Sequence, residues 1–217
     1  SALASLPKHN DALQVLSKAI KRDANPSVQA KALSALADLS GPNAAVMSRL
    51  VLAKPVTRQR TALMQEALSV LGQHGTKEDI SILIPFAGPK HYRSLRQSMM
   101  WAMTRLVGRL EQEDAAAQYS RVSQALVDGL DDPDIRVRQT TIQILGYIGD
   151  SEAEKRLRAF AANTHLSSHR NDALDSANWI RNRKPKPSEQ DQKTDLQRLE
   201  EKVEEMEQRL KDVERWR

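Results

Sequence analysis

One apolar pattern recurs five times along this chain and restricts its fold more than any other feature. Each copy starts at a residue that we call the anchor. Mostly apolar residues follow it at four, five, seven, eight and eleven positions, on one face of a helix. The anchors are Val28, Leu63, Leu95, Val137 and His169, separated by 35, 32, 42 and 32 residues. Because two-helix repeats of this length cover their apolar faces by stacking, the sequence predicts an all-α, right-handed solenoid of about five helical hairpins.

The bounds of the hairpins follow from these apolar faces and from the prolines that end helices. The first helices are expected at about 9–22, 42–53, 77–87, 113–130 and 151–161. The second helices, which carry the anchors, are expected at about 26–40, 58–74, 92–109, 134–148 and 167–182. No segment alternates between apolar and polar residues as a strand would.

The fourth copy carries the most complete signals for the start and the end of a helix. Asp132 is suited to cap the helix, with Pro133 at the first helical position. Asp134 adds negative charge near the positive end of the helix dipole. Gly149, just past the apolar stripe, is typical of a left-handed C-terminal cap. Asn25-Pro26 is a shorter start signal of the same kind in the first copy.

An arginine beside the anchor is expected to join neighbouring copies through a carboxylate. The contact that we predict is an ion pair of Asp132 with Arg138 or Arg170. The residues of this structural signature are Asp132, Pro133, Val137, Arg138, Arg170 and Arg96.

The repeat pattern stops after residue 183, which divides the chain into three regions. Residues 1–183 are predicted to form the solenoid, and residues 184–194 are a linker rich in proline, lysine and glutamine. Residues 195–217 are predicted to form a coiled-coil helix, because apolar residues recur there at alternating spacings of three and four. This seam consists of Leu196, Leu199, Val203, Met206, Leu210 and Val213.

The charges beside the seam favour a parallel homodimer through residues 195–217. In a parallel pair, Lys202 meets Glu207 across the seam, whereas an antiparallel pair would bring glutamates together. Three heptads are short for an isolated helix. The alternative is therefore a single amphipathic helix that folds back onto the solenoid or docks on another domain.

The overall composition excludes several classes of protein. Cysteine is absent, so the chain has no disulfide framework and no thiol chemistry. No segment approaches the roughly 18 apolar residues of a membrane span, and no signal peptide is present. We therefore expect a soluble protein of the cytoplasm or periplasm. The start at Ser1, without an initiator Met, suggests a piece of a longer protein.

Basic residues are concentrated in the third copy, although the net charge is only +5. No acidic residue lies between Ile80 and Leu110. A basic strip of this kind attracts phosphates or acidic proteins, but the same arginines can also pair with acids of neighbouring repeats. The strip consists of Lys90, Arg93, Arg96, Arg105 and Arg109.

No motif in the sequence supports catalysis, and we expect no catalytic residue, metal or cofactor. His165 and His169 have the spacing of a pair of metal ligands, but Leu166 stands where a metallopeptidase motif requires glutamate. Trp101 and Trp179 lie beside core positions, so partial burial is expected for them rather than a ligand cage.

The motif Asp132-Pro133 through Val137-Arg138, the trailing Leu145-Gly146 to Asp150 and the repeat length resemble the HEAT repeats of bacterial, lyase-like proteins. The resemblance covers about residues 8–182. It implies an α-solenoid whose second helices form a concave inner surface for holding proteins. A HEAT protein of the bilin-lyase type is an alternative, although no residue matches that activity in particular.

A narrower resemblance is to the C-terminal region of bacterial aminopeptidase-N-type zinc peptidases. It rests on the order of the segments 58–72, 93–106 and 132–150 and on the charged heptads that follow. The zinc-binding motif of those enzymes is absent here. The resemblance therefore implies an accessory domain without its catalytic half, and no catalytic residue is carried over.

These observations predict a non-catalytic, protein-binding scaffold that forms the C-terminal accessory domain of a larger bacterial protein. Its partner would be another protein or an adjacent catalytic domain. The alternative is a solenoid that binds nucleic acid through the basic third repeat. We consider nucleic acid the weaker alternative, because the sequence has neither interleaved aromatic residues nor a recognisable docking module.

Overall fold

The computed structural model describes residues 7–110 and 112–182, and within these ranges the regular structure is entirely helical. The helices are α1 (Pro7–Arg22), α2 (Pro26–Leu39), α3 (Gly41–Leu52), α4 (Thr61–His74), α5 (Ile80–Leu83), α6 (Arg93–Val107), α7 (Gln112–Val127), α8 (Ile135–Ile148), α9 (Ser151–Asn163) and α10 (Ser167–Asn182). They form five successive hairpins, so the predicted all-α solenoid of helical repeats is confirmed. The predicted linker at 184–194 and the coiled coil at 195–217 lie outside the described residues.

The anchors fix where the second helices begin. Each of the five second helices starts two residues before its anchor, although the anchors were aligned only on apolar spacing. The starting residues are Pro26, Thr61, Arg93, Ile135 and Ser167. The five copies are therefore structurally equivalent, and one position number describes the same place in each.

Four of the five anchors are buried. Leu63, Leu95, Val137 and His169 all lie in the core, whereas Val28 is 41% exposed. Within the described residues no helix precedes the first hairpin, so no earlier repeat covers Val28. Exposure at an end repeat is expected in a stack where each unit contacts only its neighbours.

The first helix of the third hairpin differs from the prediction. A continuous helix was expected at 77–87, but only α5 is α-helical there, and 3-10 turns flank it at Lys77–Asp79 and Ile84–Ala87. Pro85 accounts for the second of these turns, because it has no amide hydrogen to donate and its ring crowds the carbonyl four residues earlier.

Two predicted helix caps of the fourth repeat are wrong. Asp134 caps α8, and its side chain accepts a hydrogen bond from the amide of Arg136 at 2.9 Å. Asp132 and Pro133 lie in the preceding turn, because the Asp132 carboxylate accepts from the amide of Asp134 instead. Gly149 has φ −63° and is therefore not left-handed. In the first repeat the predicted start is confirmed, since Asn25 caps α2 and Pro26 is its first residue.

Candidate functional site

The residue after the anchor ties each second helix to the loop before it. Arg138 donates to the carbonyl of Asp132 at 2.7 Å, and Arg170 donates to the carbonyl of Thr164 at 2.9 Å. Each acceptor lies six residues before its donor. This contact within the repeat explains why arginine suits the position, since its several donors reach loop carbonyls that the helix leaves unpaired.

The other repeats make the same tie with different residues. In the first, Gln29 donates to the carbonyl of Asp23 at 2.8 Å. In the third, Arg96 donates to the carbonyl of His91. In the second, Met64 follows the anchor and cannot donate, and Arg60 reaches the carbonyl of Pro55 at 3.0 Å instead. The loop of every hairpin is thus held by a side chain of its own second helix or, in the second repeat, by that of Arg60 directly before that helix.

The predicted ion pair of Asp132 has a different partner. Its carboxylate accepts from Arg96 of the preceding repeat at 2.9 Å, and both side chains are buried. Neither Arg138 nor Arg170 bonds to a carboxylate in the described residues; both bond to loop carbonyls. Arg96 directly follows the third anchor, and Asp132 lies five residues before the fourth. The equivalent position before the fifth anchor is Thr164, which has no carboxylate.

A second ion pair joins the second repeat to the third. Arg49 on α3 bonds with both oxygens of Asp79, at 2.6 and 2.8 Å, and Asp79 also accepts from the amide of Thr76. Burial alone would raise the pKa of Asp79, but the Arg49 guanidinium and the Thr76 amide outweigh it, so the pKa is lowered. This carboxylate therefore stays ionised in the folded state.

Most side chains of the predicted basic strip bond to groups within the fold. Arg96 is buried with Asp132, and Arg93 lies 3.5 Å from the carboxylate of Asp134. Arg109 donates to the carbonyls of Gly72 and Gly75. The exposed basic side chains that remain are Lys90 and Arg105. The strip therefore presents less charge to a phosphate backbone than its sequence suggests.

A continuous outward surface runs along the second helices at six and ten residues after each anchor. The core positions between them are buried, so these two positions point away from the stack. We call this surface the second-helix face. Its members are Ser34, Asp38, Ser69, Gln73, Trp101, Arg105, Gln143, Tyr147, Asp175 and Trp179.

Three large aromatic side chains lie on the second-helix face of the last three repeats. Trp101 is 42% exposed, Tyr147 62% and Trp179 61%. Partial burial was expected for both tryptophans; it describes Trp101, whereas Trp179 is mostly exposed. Tyr147 was not singled out from the sequence. Its place ten residues after an anchor, outside the core positions, is the signal that would have found it.

Tyr147 and Trp179 line one small groove between α8 and α10. Its volume is about 330 Å³, and its remaining lining residues are Gln143, Gly146, Asp175 and Ser176. A Cβ atom on Gly146 would lie 2.9 Å from the hydroxyl oxygen of Ser176. The close approach of the two helices therefore depends on glycine at this position, and small side chains separate the two aromatic ones.

In the described part of the chain no group of three or more His, Cys, Asp or Glu side chains is placed to hold a metal ion. His169 is buried at its anchor position, with its ring 6.4 Å from that of Phe160. Burial, and secondarily the charge of Arg138, lowers the pKa of His169. A neutral imidazole in the core has the packing role of an anchor.

Comparison with known proteins identifies the repeat type. A family model of HEAT repeats matches residues 123–206. A solved chain from the complex of CpcE and CpcF of phycocyanin lyase from Nostoc sp. PCC7120 superposes with a TM-score of 0.55. At 18% sequence identity, the match covers 77% of this chain and 98% of that chain. No curated protein matches this chain significantly. This chain therefore has a HEAT-like solenoid fold.

Among the described residues, no helix has both the length and the apolar character needed to cross a membrane.

Proposed function

We propose that this chain is a non-catalytic scaffold that binds another protein through its second-helix face. The observation that carries the proposal is the exposure of Trp101, Tyr147 and Trp179 on that face. The sequence has only three tryptophans and three tyrosines. Exposed aromatic side chains are enriched where proteins dock, because they bury a large area with little loss of side-chain entropy.

The solved structure that shares the fold supports a protein partner. Its title names a complex of two proteins, CpcE and CpcF, of a lyase. The likeness extends to the fold, and we carry over only the general idea that a solenoid of this kind holds a second polypeptide. Neither lyase activity nor a lyase substrate is part of the proposal.

The parent protein is a separate question. The proposal is that this region serves a larger bacterial protein as an accessory domain. A zinc aminopeptidase as that parent is not supported by the comparisons, which match HEAT repeats and a lyase complex. Sequencing the gene on both sides of this region tests the idea directly, since a zinc-peptidase motif encoded upstream would establish the parent.

Nucleic acid is the second candidate, and the structure gives it less support. Arg93, Arg96 and Arg109 have partners within the fold, so phosphate contacts would depend mainly on Lys90 and Arg105. Binding of a DNA or RNA duplex at low salt would favour this candidate. Its loss in an Arg105→Glu variant would place the duplex on the second-helix face.

Photo-crosslinking tests the scaffold function. A photoreactive phenylalanine analogue replaces Tyr147 or Trp101 on the second-helix face, or Leu50 on α3 as a control that is similarly exposed at 49%. We expect one protein to be captured at both positions of the face and not at position 50. That protein, once purified, should bind the parent chain and lose affinity for a Trp101→Ala variant.

Either of two results would contradict the scaffold function. One is capture of the same proteins with equal yield at positions 50, 101 and 147, which would indicate random collision. The other is a purified candidate whose affinity is the same for Trp101→Ala and for Leu50→Ala. Circular dichroism of each variant checks that the fold is retained.

A further inference from the structure

We infer that the groove between Tyr147 and Trp179 receives a lysine or arginine side chain from a basic segment of the partner protein. The inference rests on the proposed scaffold function and gives the partner a chemistry. Its basis is one small groove that combines two exposed aromatic rings with a carboxylate, that of Asp175.

The shape of the groove suits one long side chain. The volume of about 330 Å³ lies at the low end of the range for ligand pockets. Gly146 and Ser176 keep the space between the aromatic residues open, because neither has a large side chain. An alkyl stem can lie on the two rings while its charged end reaches Asp175, as amphipathic side chains commonly do.

The charge of the groove selects a cation. Asp175 is the one ionisable carboxylate among the lining residues, and no lysine or arginine lines the groove. Within the described residues Asp175 is exposed and has no ion-pair partner. Arg181 lies 3.9 Å from Glu154, an acid that it shares with Arg158, which lies 2.9 Å from the same oxygen.

Aromatic faces add to this selection. A cation over the face of tryptophan or tyrosine is attracted by the negative charge of the ring, and tryptophan gives the strongest attraction. Arginine also stacks its planar group on aromatic rings. The groove therefore favours a basic side chain over an apolar one of equal length, which would leave Asp175 without compensation.

Fluorescence titration tests this inference in the full-length chain. Trp101→Phe and Trp216→Phe together leave Trp179 as the only tryptophan, so its emission reports on the groove. The probe is a short peptide of arginine, lysine, glycine and serine. Peptides of the same length with glutamine or glutamate in place of each basic residue are the controls. We expect the basic peptide alone to change the emission, with an affinity that falls as salt is added.

Matched variants locate the binding. Asp175→Asn removes the charge and keeps the shape, and Tyr147→Ala removes one ring; each should weaken binding roughly two- to fivefold. Asp38→Asn is the control, because Asp38 is exposed on the same face, ten residues after the first anchor. It removes the same charge far along the chain from the groove and should leave the affinity unchanged.

Three results would overturn the inference: no binding of the basic peptide at low salt, equal binding of the glutamine peptide, or equal losses in Asp175→Asn and Asp38→Asn. The scaffold function is tested separately, by the photo-crosslinking experiment. A partner that is captured selectively at positions 101 and 147 could yet bind Asp175→Asn as tightly as the parent chain. That result would support the scaffold function and refute the basic segment. Loss of selective capture would refute the scaffold itself.

Discussion

The junction between the third and fourth repeats and the junction between the fourth and fifth use equivalent helix positions differently. In the former, the buried pair Arg96–Asp132 joins α6 to the turn before α8, and Gln97 donates to the hydroxyl of Thr140 at 3.0 Å. In the latter, Gly146 lies against Ser176 and two aromatic side chains point outward. The former junction therefore has a buried ion pair. The ion pair of the latter, Arg156–Asp131 at 3.8 Å, is exposed, as are its two aromatic side chains.

On the first-helix side, an exposed hydrogen bond crosses each of the two junctions. Arg121 of α7 donates to Ser81 of α5 at 2.9 Å, across the third and fourth repeats. Between the fourth and fifth, Ser120 donates to Asp150 at 2.6 Å. Burial would raise the pKa of Asp150, but Ser120 and the amides at the start of α9 outweigh it and lower the pKa. Asp150 thus accepts from a neutral hydroxyl, and within residues 7–110 and 112–182 it forms no ion pair.

Of the substitutions that test the difference between the two junctions, Asp132→Ala should have the largest effect on stability. Asp132→Ala leaves the Arg96 guanidinium buried without its carboxylate, and we expect a loss of about 3–5 kcal/mol in the free energy of unfolding. Urea denaturation measures it. The neighbouring Asp131, whose side chain is 78% exposed, is the matched control, and Asp131→Ala should cost less than about 1 kcal/mol. Equal losses in the two variants would show that the junction is not fastened by this pair.

The next effect concerns Arg49 and extends the comparison to the second and third repeats. Arg49→Gln removes the charge-assisted bonds to Asp79 and should cost about 2 kcal/mol at neutral pH. Arg105→Gln, an exposed arginine on α6, is the control and should be nearly neutral.

The same pair predicts a pH dependence. The pKa of Asp79 is lower in the folded protein than in the unfolded chain, so its stabilisation is complete above about pH 4. It is lost as the pH falls through the folded pKa. In Arg49→Gln the burial of Asp79 is less opposed, so its pKa rises and acid unfolding should begin at higher pH. An acid transition at the same pH in both proteins would contradict this account.

A smaller effect is predicted at the glycine of the fourth–fifth junction. Gly146→Val places methyl groups against Ser176 and should destabilise the protein by about 1–2 kcal/mol. Gly88→Val is the matched control, because a Cβ atom on Gly88 meets nothing within 4 Å and its φ of −65° suits any residue. Thermal unfolding compares the two, and equal melting temperatures would show that α8 and α10 are not closely packed there.

The smallest predicted change in stability concerns two glutamines that occupy the same position in neighbouring repeats. Gln97→Ala loses the bond to Thr140 and should cost about 1 kcal/mol. Gln139, two residues after the next anchor, is exposed and has no hydrogen bond across its junction in the described residues, so Gln139→Ala should change stability by less than about 0.5 kcal/mol. A reversed order would contradict the assignment of fastening contacts to the third–fourth junction.

The sequence predicted the helices well because their apolar periodicity is a local signal repeated five times. It failed where a single contact decides the structure. Pro133 looked like the first helical residue, but the Asp132 carboxylate, drawn to Arg96, forms the turn before the helix and leaves the cap to Asp134. That outcome depends on a residue 36 positions earlier, which no local pattern encodes.

The candidate site was harder to predict because exposure is a tertiary property. The basic strip was visible in the sequence, but the engagement of Arg96 and Arg109 with other repeats was not. Trp179 and Tyr147 meet in one groove although they belong to different repeats. Numbering each copy from its anchor would have placed both at the tenth position and predicted a shared surface.

The tie between each second helix and its own loop has a consequence for how such a chain can be rebuilt. The bonds from Gln29, Arg60, Arg96, Arg138 and Arg170 to loop carbonyls each lie inside a single hairpin. The turn before α8 also uses Arg96 of the preceding repeat, which pairs with Asp132. The joins at Ser40 and Gly149, which lie between hairpins, are the natural places to splice. Duplicating one hairpin should preserve the bonds within its turn, whereas the contacts at the new seam, including the partner of Asp132, would require redesign.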